Sequence, residues 1–320
     1  MGLKSYKASA PGSLIIMGEH SVLRGKLAIV TAINKRIIVT LQPNKTAKII
    51  INSKDLGVKK YNLDKLAPQK PFEFVLAAIL HYKKYFTSTS GFNLNIEADC
   101  TSTVGLGTSA AVTVATVAVL HEFFTQSPIA LAMLFKIAKK TMLQVQTVGS
   151  GADLAASVYG GVVAYKAKPS YIEKLPHILP GLTVVYSGYK TKTVTVIKLT
   201  EKYLQSHPSY SSFIFPTMDK LAKQAVQAIY LHDWKLLGGL FDLQQGLLKL
   251  LNVSDNCLEQ IISQLRLTEN ILGAKISGSG LGDCVIGLGK QDGIGLDLEI
   301  DPIGVVNGYE DVRKNKEQAR

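Results

Sequence analysis

The pattern of apolar and polar positions divides the chain into stretches of period two and stretches of helical period. Residues 5–17 (SYKASAPGSLIIM) read as a short strand, a turn at Pro11 and Gly12, and a second apolar strand. LAIVTAI (27–33) and RIIVTLQ (36–42) read as two more strands separated by Asn34 and Lys35, and KIIINS adds another, so the first fifty residues are β-rich. Asp55 to Pro71 is polar and irregular. From Phe72 to Phe86, apolar residues at Phe72, Val75, Leu76, Ile79 and Leu80 have the spacing of an amphipathic helix. FNLNIEAD (92–99) alternates like a strand and leads into TSTVGLGTSAAVTVATVAVL (101–120). That run is too long for an ordinary strand and predicts a buried helix, with Thr108 and Ser109 suited to capping its start.

A second helical pattern runs from Ile129 to about Gln144, and GSGADLAASVYGG (149–161) again leads small residues into a helix before the strand VVAYKA. Pro169, Pro176 and Pro180 crowd one interval, which predicts a domain boundary within 169–181. The second half opens with the strand LTVVYSGY, followed by TVTVIKL. Helices are expected near 216–232, 234–251 and 255–267, then a strand, glycine loop and strand in AKISGSGLGDCVIGLG (274–289). The tail after Lys290 is less regular.

Composition narrows the class. With 320 residues, 47% of them hydrophobic, the chain folds and has length for two domains. A formal net charge of +12 admits a nucleic-acid or membrane partner. The lysines are scattered, however, in pairs such as Lys59 and Lys60, Lys83 and Lys84, and Lys139 and Lys140, with no basic block. The charge therefore reads as solubility and attraction for anionic substrates, without a nucleic-acid partner. Cys100, Cys257 and Cys284 are too few and too far apart for a disulfide framework or a metal cluster, which indicates a reducing compartment. The first residues lack the apolar core of a signal peptide, and the run from Ala110 to Leu120 is too short to span a bilayer. A soluble, cytoplasmic protein is expected.

Glycines just before a helix let backbone amides approach a ligand, and the helix dipole favours an anion there. Gly105 and Gly107 fit such a phosphate cradle, and a lone GLG equally fits a plain tight turn. Two further small-residue turns, around Gly151 and Gly280, suggest several loops meeting one polyanion. GEHSVLRGK (18–26) sets Glu19 beside His20 on a turn between apolar strands, although an ordinary solvated loop has the same composition. Walker A spacing, the protein-kinase motifs, HEXXH and CXXC are all absent.

APGSLIIMGEHSVLRGKLAI, VGLGTSAA and KISGSGLGDCVIGL resemble the three ordered motifs of the GHMP kinase superfamily, and the resemblance covers nearly the whole chain. The N-terminal motif is most similar to mevalonate kinases, whereas QTVGSGADLAASVYGG and GSGLGDC are closer to phosphomevalonate kinases. The resemblance implies an α+β, two-domain GHMP kinase fold. Its N-terminal domain (1–175) would be ribosomal protein S5 domain 2-like and its C-terminal domain (176–320) ferredoxin-like. It implies an ATP- and Mg²⁺-dependent kinase acting on the 5-hydroxyl of mevalonate in isoprenoid synthesis. Phosphomevalonate kinase and a non-catalytic GHMP-fold binding protein are the alternatives, and a homodimer is left open.

By the same resemblance, Gly105, Leu106, Gly107, Thr108 and Ser109 would wrap the ATP phosphates, with the Ser109 hydroxyl on Mg²⁺. Gly278, Ser279 and Gly280 would close the phosphate site, Glu19, His20 and Thr193 would bind mevalonate, and Asp153 would take the proton of the attacking hydroxyl. The chain departs from the pattern at Ser13, where mevalonate kinases carry lysine, which leaves Lys7, Lys26 or Lys192 as candidate cations. It departs again at Thr101 and Thr103, where the family pattern prefers proline and glycine. Gln144 and Gln146 occupy the region of the expected metal-binding glutamate.

Overall fold

The computed structural model describes residues 5–44, 46–87, 90–99, 105–176 and 179–307. Cys100, Thr101 and Thr103 lie outside them. Two long antiparallel strands, β1 (Tyr6–Met17) and β2 (Ala28–Pro43), form the spine. Each was expected as two strands, and each is continuous. Pro11 pairs with Arg36 and Gly12 with Ile33, so Asn34 and Lys35 are extra residues on β2 and the irregularity becomes a bulge. A bulge tolerates proline, because no ladder hydrogen bond is asked of its nitrogen.

The spine is extended by β3 (Lys48–Ser53), β4 (Gly57–Asn62), β5 (Phe92–Ala98), β6 (Val162–Lys166), β7 (Tyr171–Leu175) and β11 (Val306–Asn307). The order is β11-β1-β2-β5-β3-β4, with β6 pairing the first part of β2 and β7 pairing β6. β4 occupies part of the stretch expected to be irregular. It is a sheet-edge strand with mostly exposed side chains, so it carries no apolar alternation.

Four helices pack with this sheet: α1 (Glu73–His81), α2 (Thr108–Thr125), α3 (Leu131–Val145) and α4 (Ala152–Tyr159). α1 stops before Phe86, and a separate 3-10 turn, Lys83–Tyr85, follows it. α2 touches β1, β2 and the other three helices. Enclosure on so many sides explains its nearly uniform Ala, Val and Thr surface. It is the one helix among the described residues that is long and apolar enough to cross a membrane, and its core position accounts for that composition.

After Leu175 the chain enters a second sheet of β8 (Leu182–Lys190), β9 (Ala274–Ser277) and β10 (Gly282–Leu288), ordered β8-β10-β9 and antiparallel. α5 (Thr193–Ser206), α6 (Pro208–Tyr230), α7 (Trp234–Leu250) and α8 (Asn256–Arg266) complete this half. TVTVIKL, despite its β-branched residues, is the first half of α5. α6 begins well before 216 because Pro208 suits a helix start, and Pro216 is carried inside the helix. The aspartates Asp233 and Asp255 cap α7 and α8 by accepting from Leu236 N at 2.9 Å and Leu258 N at 3.1 Å.

The tail is tied to the first sheet through Arg36, which sits beside the β2 bulge. Its buried guanidinium donates to Asp301 Oδ2 at 2.7 Å, Ser9 Oγ at 2.7 Å, Gly304 O at 2.6 Å and Ile303 O at 3.1 Å. Arg36→Met would leave Asp301 buried without its cation, a loss of about 3–5 kcal/mol. Chemical denaturation should show that loss as a lower midpoint; a change under about 1 kcal/mol would remove Arg36 as the anchor of the tail.

Candidate active site

Three helix starts, two of them led by glycine, line one cavity of about 620 Å³: Gly105 and Gly107 to Ala110 at α2, Gly149 to Gly151 with Asp153 at α4, and Lys192 to Thr195 at α5. Unpaired N–H groups and helix dipoles at such starts favour an anion. Gly107 is itself the N-cap of α2, in the left-handed conformation (φ 67°), so Thr108 and Ser109 are its first helical residues. They were expected as caps. No side chain caps this helix, and Thr108 and Ser109 line the cavity.

The α2 turn is clamped from two sides. Ser13 N donates to Leu106 O at 3.0 Å, and a Cβ on Gly107 would lie 2.1 Å from Ser13 Oγ. On the other side, a Cβ on Gly105 would lie within bonding distance of Asp283 Oδ1. Both glycines are thus required by contact as well as by backbone angle.

Asp153, in the first turn of α4, is half-buried at the cavity wall and accepts a hydrogen bond from Ser13 Oγ at 3.1 Å. Burial pushes its carboxyl above the ordinary carboxylate range; the Ser13 hydroxyl and the Lys190 charge pull it back, and Asp283 adds to the rise. Ser13 therefore bridges the phosphate-type turn and the acid. Lys192 lines the cavity, whereas Lys7 and Lys26 are not among its lining residues. Sequence reasoning missed Lys190, at the end of β8, whose Nζ lies 3.5 Å from Asp283 Oδ2.

The turn after β1 holds Glu19 and His20. Glu19 is only 1% exposed, and its carboxylate binds Lys275 Nζ and accepts from Gln244 Nε2 at 3.1 Å. Burial raises the Glu19 carboxyl and lowers the Lys275 ammonium, with their mutual attraction offsetting part of each shift. Glu19 lines the cavity, and each of its carboxylate oxygens accepts one hydrogen bond that holds the turn in place. His20 adopts a positive φ (58°), and its Nε2 lies 2.8 Å from Ser279 O. A carbonyl only accepts, so Nε2 carries the proton. Burial lowers the His20 pKa, which keeps the ring neutral with Nδ1 as an acceptor.

Thr193 lines the cavity at the α5 start. Gly278 and Ser279 line it too, whereas Gly280 is absent from the lining and packs against Val253. Gln146 faces the cavity, but Gln144 lines a separate groove with Lys136, Lys139 and Lys140. No cluster of three or more His, Cys, Asp or Glu able to hold a metal occurs among the described residues. The donors are hard oxygens, among them the carboxylates of Glu73, Asp153 and Asp283 and the hydroxyls of Thr108 and Ser109, and the buried Glu73 Oε2 and Asp283 Oδ1 have no hydrogen-bond partner. That set fits Mg²⁺, which takes few protein ligands and completes its shell with phosphate and water.

Residues 73–161 match the model of the GHMP kinases N-terminal domain, and residues 225–294 match that of the GHMP kinases C-terminal region. The chain is similar to a mevalonate kinase of Aeropyrum pernix, with 32% identity over 308 residues covering 92% of each chain. It is 31% identical to a mevalonate kinase of Thermococcus sibiricus over 304 residues, 89% of each chain. Its fold matches that of the L. major mevalonate kinase in complex with R-mevalonate, with TM-score 0.75, 24% identity, and coverage of 89% of this chain and 87% of that one.

Lys275→Met would strand the Glu19 charge in the core, costing about 3–5 kcal/mol. The double variant Lys275→Met with Glu19→Gln should recover much of that loss in a thermal melt; equal instability of both would show that packing, and not charge, is at stake. Gly107→Ala should abolish nucleotide binding measured calorimetrically, and affinity within threefold of the parent would exclude the clamped turn as the phosphate site.

Proposed function

The chain belongs to the GHMP kinase family, and from that premise we propose that it transfers the γ-phosphoryl group of ATP to the 5-hydroxyl of mevalonate. The observation that carries the reading is the Ser13 bridge, which joins the α2 turn to the Asp153 carboxylate in one cavity. The acceptor assignment draws on the relatives at 32% and 31% identity, both named mevalonate kinases.

In this reading the amides of Gly105 to Ser109 hold the triphosphate, with Gly278 and Ser279 opposite. Asp153 takes the proton of the attacking hydroxyl as that oxygen forms its bond to phosphorus. His20 Nδ1 accepts from an acceptor hydroxyl, and Thr193 contributes a second polar contact. Mg²⁺ would be held by the Ser109 hydroxyl and supply charge neutralisation at the phosphates. We assign the domains as 1–175 and 176–320, with the tail strand returning to the first sheet. Cytoplasmic residence belongs to this reading, on the few, widely spaced cysteines. The partners in this reading are mevalonate and ATP, without nucleic acid or membrane; assembly as a homodimer stays open.

The test is ADP release with Mg²⁺ and ATP, offering mevalonate, 5-phosphomevalonate, homoserine and galactose in parallel. Turnover is expected with mevalonate, and turnover confined to another acceptor would overturn the assignment. Asp153→Asn should lower kcat by roughly 10²–10⁴-fold with ATP binding retained. A base works only when ionised, so activity is present above the Asp153 pKa and is lost as pH falls through it. Because that pKa is raised, the acid limb of kcat/KM should lie above the ordinary carboxylate range. Removing the Ser13 hydroxyl should move the limb to still higher pH, and an unmoved limb in Ser13→Ala would show that another group titrates.

A further inference from the structure

The acid Asp283 stands where a phosphate-binding turn would least be expected to accept one. Its carboxylate is packed on Gly105, the first residue of the α2 cradle, and its Oδ1 is buried with no hydrogen-bond partner. Asp283 is also the irregular residue of β10: Gly282 pairs with Lys190 and Cys284 with Tyr186, and the register shifts between them. Its backbone takes φ 73°, uncommon for a residue with a side chain. Bulges of this kind re-aim a side chain, here toward the cradle and toward Lys190.

A bare carboxylate beside a bound triphosphate would repel it. Lys190 resolves the conflict. Its Nζ lies 3.5 Å from Asp283 Oδ2, and its charge is felt by Asp153 in the same cavity. Three lysines line the cavity among the described residues, Lys70, Lys190 and Lys192, and Lys190 is the one ion-paired to a carboxylate that touches the cradle. The Lys190 side chain retains 38% of its exposure, so the ammonium stands at the cavity surface with room to swing, while the Asp283 side chain at 9% is fixed.

The geometry points to Lys190 as the cation that meets the transferred phosphoryl group, with Asp283 as the positioning residue that holds its ammonium between the cradle and Asp153. This rests on the kinase reading above. In the step, the acceptor oxygen forms a bond to the γ-phosphorus and its proton passes to Asp153. The bond from that phosphorus to the β,γ-bridging oxygen breaks, and its electron pair leaves with ADP. Lys190 donates hydrogen bonds to the equatorial oxygens of the group in flight, where negative charge persists throughout. Asp283 neither gains nor loses a proton in the step.

The experiment compares Lys190→Met and Lys190→Arg with the parent, measuring kcat together with calorimetric affinity for ADP and for a non-hydrolysable imido analogue of ATP. Lys190→Met should lower kcat by about 10²-fold or more. It should weaken the imido analogue at least about tenfold while leaving ADP nearly unchanged, with partial recovery in Lys190→Arg. A kcat within threefold of the parent, or equal weakening of both nucleotides, overturns the proposal. For Asp283, Asp283→Asn should reduce the preference for the triphosphate in the same direction, and the double variant with Lys190→Met should add little further loss. Fully additive losses would show that Asp283 acts independently of Lys190. The nucleotide comparison needs no acceptor, so a failure of the mevalonate assignment leaves this test readable, and kcat is then taken with whichever alcohol the parent phosphorylates.

Discussion

The close approach of three chain segments around side-chain-free positions governs the rest of the molecule. β1 lies against the α2 turn because Gly107 has no Cβ to meet Ser13, and the start of β10 lies against the same turn because Gly105 has none to meet Asp283. Ser13 N then bonds to Leu106 O, and Ser13 Oγ reaches Asp153. One strand residue thus fixes both the anion cradle and the acid that faces it. A side chain at either glycine would separate the cradle from the carboxylate by more than catalysis tolerates, since reacting groups must be held close and aligned.

Electrostatically the cavity is a compromise. Helix starts at α2, α4 and α5 supply partial positive charge that favours an anion, yet four carboxylates line the same walls, among them Asp153 and Asp283. Burial raises the pKa of both, and Lys190 lowers both. A single half-exposed lysine therefore balances two acids and remains able to turn toward a ligand. Below them, the Glu19 and Lys275 pair joins the turn after β1 to β9, and His20 reaches Ser279. These bonds tie the first half of the chain to the second. The Glu19 and His20 side of the cavity is therefore set by contacts that no single half could make.

What the sequence disclosed follows from what is local. The glycine-led starts at Gly107 and Gly151 were legible because a helix start and its preceding glycines are neighbours in the chain, and the β9 to β10 turn was legible for the same reason. Lys190, Asp283, Gln244 and Lys275 were not. Their meaning arises from partners far away in sequence, as with Lys275 and Glu19, and a lone lysine in a strand carries no local signature. The helical start at Thr193 was hidden by β-branched residues whose packing overrides propensity, and β4 by a surface position that demands no apolar alternation. Pro11 and Gly12 read as a turn because a bulge in a long strand uses the same residues.

The most direct measurement is a crystal structure with the imido analogue of ATP and mevalonate bound together. The account predicts the γ-phosphate over the amides of Gly105 to Ser109 and the 5-hydroxyl within hydrogen-bond reach of Asp153, roughly 2.6–3.2 Å. A triphosphate seated elsewhere, such as the lysine-lined groove along α3, or a 5-hydroxyl on the far side of the cavity from Asp153, would contradict it.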